Sequence, residues 1–188
     1  MPNWCENIIV IKHNDPAMLE KAAEAWNKGK FLQSFVPCPQ PLLDTVSGSV
    51  GRIGDDPLVN YRVELHEAQM TLNLKHFGYK DWYSWCVAEW GTKWDIGLDE
   101  DQENKAQIEN GAIHVRFSSA WSPPTGAYDK LVDLGFEIEA YYYEPGCDFC
   151  GEWINGEEET FSIRNAPKRI DEMFGISECI ESMEENER

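Results

Sequence analysis

Asn7-Ile8-Ile9-Val10-Ile11-Lys12, followed after His13 by Asn14, Asp15 and Pro16, is the stretch on which the fold turns. Its β-branched residues suit a pleated backbone and need cover on both sheet faces, so the run reads as a buried strand that ends at Asn14. Asp15 then offers a side-chain oxygen to the free N–H groups of a helix start, and Pro16 fits the first helical position because it lacks an N–H. Met18, Leu19, Ala22, Ala23, Ala25 and Trp26 form an apolar stripe at helical spacing that stops near Gly29.

The rest of the chain extends that opening. Lys93 to Leu98 reads as a second strand, and Ala112 to Ser119 as a third, with Ile113, Val115 and Phe117 turned inward. Thr125 to Leu134 carries Ala127, Leu131, Val132 and Leu134 at helical spacing and ends at Gly135, a residue suited to a left-handed cap. Phe136 to Tyr143 is a fourth strand. Asp81 caps a helix through Trp82, Trp85, Cys86 and Ala88 that Gly91 ends, and an acidic loop runs from Asp99 to Asn110. The order strand, helix, strand, strand, helix, strand predicts an α+β, ferredoxin-like split βαβ fold: an antiparallel sheet with helices on one face.

Around this frame, Phe31 to Pro41 reads as an ordered loop because Pro37, Pro39 and Pro41 remove backbone donors. Residues 42–80 are an insertion with Gly48, Gly51 and Gly54 in one part and a helix from Val59 to Leu74 in another. Residues 151–175 add a hairpin through Trp153 and Phe161 and a short helix from Pro167 to Met173. The expected organisation is one ferredoxin-like domain over 1–175 and an acidic tail over 176–188, whose last ten or so residues read as disordered by composition.

The net charge of -18 is uneven: residues 1–94 hold 11 acids against 9 bases, and residues 95–188 hold 23 against 7. Phosphate backbones are bound through Lys and Arg that displace counterions, so this balance argues against direct nucleic-acid binding and favours a basic protein partner. No run is long and apolar enough for a membrane span, and the N-terminus lacks signal-peptide character, which places the chain in the cytoplasm. Six scattered cysteines fit reduced thiols better than a disulfide framework.

Four stretches combine aromatics with turn residues: Pro2 to Asn7, Trp90 to Asp95, Ser119 to Pro124 and Glu144 to Gly151. In the ferredoxin-like arrangement the first two strands are parallel and the other two antiparallel to them. The starts of the first pair therefore share a rim with the ends of the second. That places Trp4, Trp90, Trp94 and Trp121 together, with Asn3, Asn7, Lys93, Ser122, Glu144 and Asp148 as polar groups around an aromatic floor. The competing reading makes the tryptophans a second hydrophobic cluster sealing the sheet end.

The same segments, Met1 to Asn7, Phe35 with Pro37 and Pro39, Trp90 to Asp95, Phe117 to Pro124 and Glu144 to Gly151, resemble the YubB-like proteins of phages and plasmids. The resemblance implies a ferredoxin-like domain and a mobile-element origin, and supplies no activity.

Cys147 and Cys150 form a CxxC that the topology brings near Cys5, which makes these three the candidate zinc ligands, although a second ligand pair is missing. No Ser elbow, phosphate-cradling glycine loop or HExxH helix is present, so no catalytic residue is assigned and no cofactor is expected. The leading expectation is a non-enzymatic phage or plasmid accessory protein whose acidic C-terminal half binds a basic protein, as inhibitor or nucleic-acid mimic. The alternative is a nucleotide-like small ligand at the tryptophan-rich end.

Overall fold

The computed structural model describes residues 3–47, 57–98 and 105–186. Strand β1 (Trp4–His13) is central, pairing antiparallel with β3 (Ala112–Ala120) on one side and β4 (Phe136–Glu144) on the other. Both of its backbone edges are thus satisfied, and Cys5, Asn7, Ile9 and Ile11 are buried in alternation. The sheet has six strands, in the order β2 (Ile108–Glu109), β3, β1, β4, β5 (Phe149–Ile154) and β6 (Glu157–Phe161). Neighbouring strands are antiparallel throughout. Its first four positions have the ferredoxin-like order, and the hairpin of β5 and β6 widens the other edge.

Helix α1 (Pro16–Asn27) is capped by the Asp15 carboxylate, which accepts from Ala17 N at 2.9 Å. It buries Leu19, Ala22, Ala25 and Trp26 beside Ile9, Ile11, Ile113 and Phe117. Helix α6 (Thr125–Asp133) covers the same face with Ala127, Tyr128 and Leu131. The short helices α2 (Phe31–Phe35) and α3 (Gln40–Leu43) occupy the proline-rich stretch expected to be a loop. The helix expected in the insertion is α4 (Pro57–Phe77), longer than its apolar pattern indicated. Buried Asn73 ties α4 down by donating to Pro41 O at 3.0 Å and Lys80 O at 3.1 Å. Helix α5 (Trp82–Glu89) starts where expected, with the Asp81 carboxylate accepting from Ser84 N at 2.8 Å.

The opposite face is covered by the C-terminal extension. Helices α7 (Lys168–Phe174) and α8 (Ile176–Asn186) place Ile170 and Ile176 against Tyr141, Tyr143 and Cys150. The tail, its last ten or so residues expected to be disordered, is therefore helical as far as Asn186. Asp171 shows why: its carboxylate accepts from Ser177 N at 2.7 Å and Ser177 Oγ at 2.6 Å, holding the first turn of α8.

The second strand is a correction. Lys93 to Leu98 is not a strand, and the edge position beside β3 belongs to the two-residue β2. Residues 93–98 instead cross the end of α1. Phe31 N donates to Ile96 O at 3.1 Å and Leu98 N to Trp26 O at 2.9 Å, so these backbone groups join helix termini and not a sheet edge. Asp95 adds to the crossing, its carboxylate accepting from Leu32 N (2.6 Å), Gln33 N (3.0 Å) and Ile96 N (2.8 Å). Part of the acidic loop expected over Asp99 to Asn110, residues 99–104, lies outside the described residues. Among the described residues no helix is long and apolar enough to cross a membrane.

Candidate functional site

The rim where β1 begins and β3 ends is built on one unusual turn. Trp121 follows β3 with φ of +73°, a left-handed conformation that costs a bulky side chain energy unless its surroundings enforce it. Here they do. Trp121 N donates to Asn3 O at 2.9 Å, Ser119 Oγ to Ser122 O at 2.7 Å and Thr92 Oγ1 to Ala120 O at 3.0 Å, and Ser122 Oγ donates to Gly91 O. Gly91, at φ of +86°, brings the end of α5 so close that an added Cβ would lie 3.1 Å from Pro123 O.

This turn aims aromatics at one lysine. Lys93 Nζ lies 4.6 Å from the ring centroid of Trp94, 5.3 Å from that of Trp121 and 5.7 Å from that of Tyr83. The Tyr83 and Trp121 rings are perpendicular with centroids 5.9 Å apart. Trp4 completes the group with its centroid 5.8 Å from that of Trp94. Trp4 and Trp94 keep 48% and 39% of their surface exposed, which leaves ring area open for stacking.

Trp94 stands between two recesses that share Gly29, Trp94 and Asp95. The smaller, about 240 Å³, is walled by Trp4, Ile96, Gly97, Ser118 and Ser119. The larger, about 480 Å³, is walled by Trp82, Trp90, Leu43 and Gln40 with Lys30 and Lys93 as its cations. Asp95 adds no free carboxylate oxygen to either, since three backbone N–H groups already occupy it. Burial pushes its carboxyl above the ordinary carboxylate range, with those same donors and Lys30 pulling the other way. The larger recess therefore combines aromatic walls with two lysines against the one carboxylate of Asp95, in a chain whose net charge is strongly negative.

The expected site residues divide into two groups. Asn3, Trp4, Lys93, Trp94, Trp121 and Ser122 meet at the rim, Lys93 and Trp94 by way of the 93–98 crossing and not as the start of the expected second strand. Trp90 does not belong to the rim surface: it is 4% exposed, with its indole N–H donating to Val36 O at 2.8 Å and its ring edge-on to Trp85. Asn7 is fully buried, donating to Cys5 O at 2.7 Å and Ser119 Oγ at 2.8 Å, and its Oδ1 finds no partner among the described residues. Glu144 and Asp148 shape the turn beside Asn3. Buried Glu144 accepts from Gly146 N at 2.9 Å and Cys147 N at 2.5 Å, while Asp148 accepts from Ser162 Oγ at 3.1 Å and Ile163 N at 3.2 Å.

The three candidate zinc ligands do not converge. Cys5 lies on the α1 side of the sheet with Asn7 and Ile9, Cys150 on the α7 side with Tyr141 and Tyr143, and Cys147 on an exposed loop. A CxxC whose second cysteine continues a strand fixes the direction of that side chain by the pleat, and here it points away from Cys5. Burial also pushes the Cys5 thiol up to about 12, and Cys150 upward, which disfavours the thiolate a metal needs. Among the described residues no three His, Cys, Asp or Glu stand close enough to hold a metal ion.

Sequence reasoning missed Tyr83, Lys30, Gln40 and Leu43. Tyr83 follows the recognised Trp82 on the capped helix and was legible as a neighbour. The stretch from Lys30 to Leu43 reaches the site through the 93–98 crossing, which no local pattern announces.

No family model matches this sequence, and no curated protein matches it. Among solved structures the chain is similar to the crystal structure of a protein api92 from Yersinia pseudotuberculosis, of the DUF1281 family. The identity is 11% and the TM-score 0.44, over 89% of this chain and 100% of that one.

Proposed function

We propose that this protein binds a small ligand with a flat, nucleotide-like ring in the groove that runs on both sides of Trp94. The observation that carries this reading is an exposed indole standing between two recesses of about 240 and 480 Å³, the larger of a size suited to a small molecule. Stacking on such a ring contributes about 1–3 kcal/mol per base. Tryptophan fluorescence against a panel of nucleosides and nucleotides tests the reading. A saturable change is expected in the wild type and a loss of at least about tenfold in affinity for Trp94→Ala. An unchanged signal across the panel, with no heat in calorimetry, ends it.

A second reading rests on a different surface. Strand β6 is the outermost strand, its Glu157, Glu158 and Glu159 are exposed, and no further strand pairs with it among the described residues. An unpaired edge lined with carboxylates suits a basic segment added as a further strand. In that reading the chain is a phage or plasmid accessory protein, the origin that its YubB-like resemblance implies, and it acts by binding a basic protein. Affinity capture with stepwise salt elution checks it. A basic partner released between low and moderate salt supports the reading, and an empty low-salt eluate counts against it.

A further inference from the structure

The groove reading leaves open which end of the ligand meets which end of the groove, and the surroundings of Lys93 decide that. An ammonium held by aromatic faces gives up part of its hydration and gains the ring quadrupoles in return. Three rings surround Nζ here, at 4.6, 5.3 and 5.7 Å. Among the described residues no carboxylate pairs with it, although carboxylates are abundant in this chain. Asp95, the acid nearest to it in sequence, is occupied by three backbone N–H groups. The Trp121 turn that completes the cage is held in a left-handed conformation by the bond from Trp121 N to Asn3 O and by the hydroxyls of Thr92, Ser119 and Ser122. Strain enforced in this way marks a side chain whose placement matters.

The result is a positioned cation on the wall of the larger recess, with a second cation, Lys30, on the same wall set. The smaller recess has no lysine or arginine in its walls, and Ser118 and Ser119 give it neutral polar groups. We infer that the ligand is a nucleoside monophosphate, its phosphomonoester held in the larger recess by Lys93 and Lys30 and its ring lying along Trp94 toward the smaller one. Two ammonium groups face one phosphomonoester, and the Asp95 carboxylate in the same walls offsets part of their charge, so the recess is matched to the least charged phosphate ester. A longer phosphate chain would bring charge that no cation in the groove balances, into a protein that already repels anions. Tyr83 and Trp121 are positioning residues in this arrangement: they touch Lys93 and set where its charge sits.

This inference rests on the groove reading, and calorimetry of the full chain separates the two. Adenosine, guanosine, their 5′-monophosphates and their 5′-triphosphates serve as probes against the wild type, Lys93→Met, Trp121→Ala and Trp121→Phe. The monophosphates are expected to bind about 10- to 100-fold more tightly than the nucleosides, the worth of one charge-assisted hydrogen bond. That preference collapses toward unity in Lys93→Met and falls in Trp121→Ala. Trp121→Phe keeps a ring and retains most of it. Lys168→Met, which removes an exposed lysine paired with Glu172 on α7, leaves the preference intact. The phosphate-dependent part also weakens with salt, a readout that a merely structural role for Trp121 would not move. Equal affinity for nucleosides and monophosphates in the wild type overturns the inference and leaves the ring-binding reading standing. Tighter binding of the triphosphates overturns the two-cation match. Silence from every probe overturns both.

Discussion

Replacing Gly97 by alanine tests the crossing that creates the site. Gly97 has φ of +143°, and a Cβ there would lie 2.6 Å from Trp26 O and 2.9 Å from Gly29 Cα. Both obstacles are backbone, so no side chain can turn aside. The conformation alone costs a non-glycine residue about 1–3 kcal/mol. Forcing the crossing strand of chain off α1 adds about 1–3 kcal/mol of overpacking strain, and it weakens the 2.9 Å bond from Leu98 N to Trp26 O. The expected loss is about 2–6 kcal/mol, which for a chain of this size lowers Tm by roughly 4–24 °C. Gly111→Ala is the control, because Gly111 also has positive φ, +78°, but a Cβ there meets nothing within 4 Å. It should cost only about 1–2 kcal/mol. Thermal and urea melts of the two variants, side by side, give the answer. If Gly97→Ala melts within about 3 °C of Gly111→Ala, the close crossing is not what holds the 93–98 segment in place.

Trp90→Phe should destabilise by about 1–3 kcal/mol, because it removes a buried indole and leaves Val36 O unpaired, whereas Trp4→Phe should change stability by less than about 1 kcal/mol; urea midpoints compare them. Glu89 is held below its ordinary carboxylate value of 4.5 by Lys130 first and by the Tyr79 hydroxyl second. A depressed carboxyl gives stability that is present above the ordinary value and is lost as pH falls through the folded one, so the wild type should lose stability below about pH 4.5 more steeply than Glu89→Gln. Matched acid-side unfolding curves for the two proteins would show no difference if the Lys130 contact were absent. Of the six cysteines only Cys147 and Cys179 are exposed. Thiol labelling of the native protein near pH 8 should therefore modify those two within minutes and Cys5, Cys38, Cys86 and Cys150 only on unfolding, with mass spectrometry locating the adducts.

The two hairpins show how legibility depends on range. Asn155-Gly156, with φ of +47° and +100°, joins β5 to β6 in the hairpin that the alternating sequence predicted. Asn110-Gly111 makes the same kind of turn, at +52° and +78°, between β2 and β3. That dipeptide was a readable signal for the true edge strand. It was passed over in the reading of Asp99 to Asn110 as a loop, which gave the strand to Lys93 to Leu98, whose partners are the ends of α1 and α2. The α8 helix was hidden for a different reason: glutamates suggested a solvated tail, and a single buried Ile176 with the Asp171 cap was enough to dock it. At the site, the meeting of Trp4 and Trp121 followed from strand directions, whereas Trp94 arrives through the 93–98 crossing and not as the start of a strand. The division between exposed Trp94 and buried Trp90 did not.

Local pattern in the chain was therefore enough for the directional part: the β1 run, the Asp15 and Asp81 caps, and hence the rim shared by the start of β1 and the end of β3. Those features depend on residues within a few positions of one another and on the chirality of short connections. Tertiary structure alone decided that 93–98 crosses α1, that Cys5 and Cys150 face opposite sides of the sheet, and that three rings close around Lys93. Each of those depends on side chains from segments far apart competing for the same space, and on which backbone groups are left over once the sheet has formed.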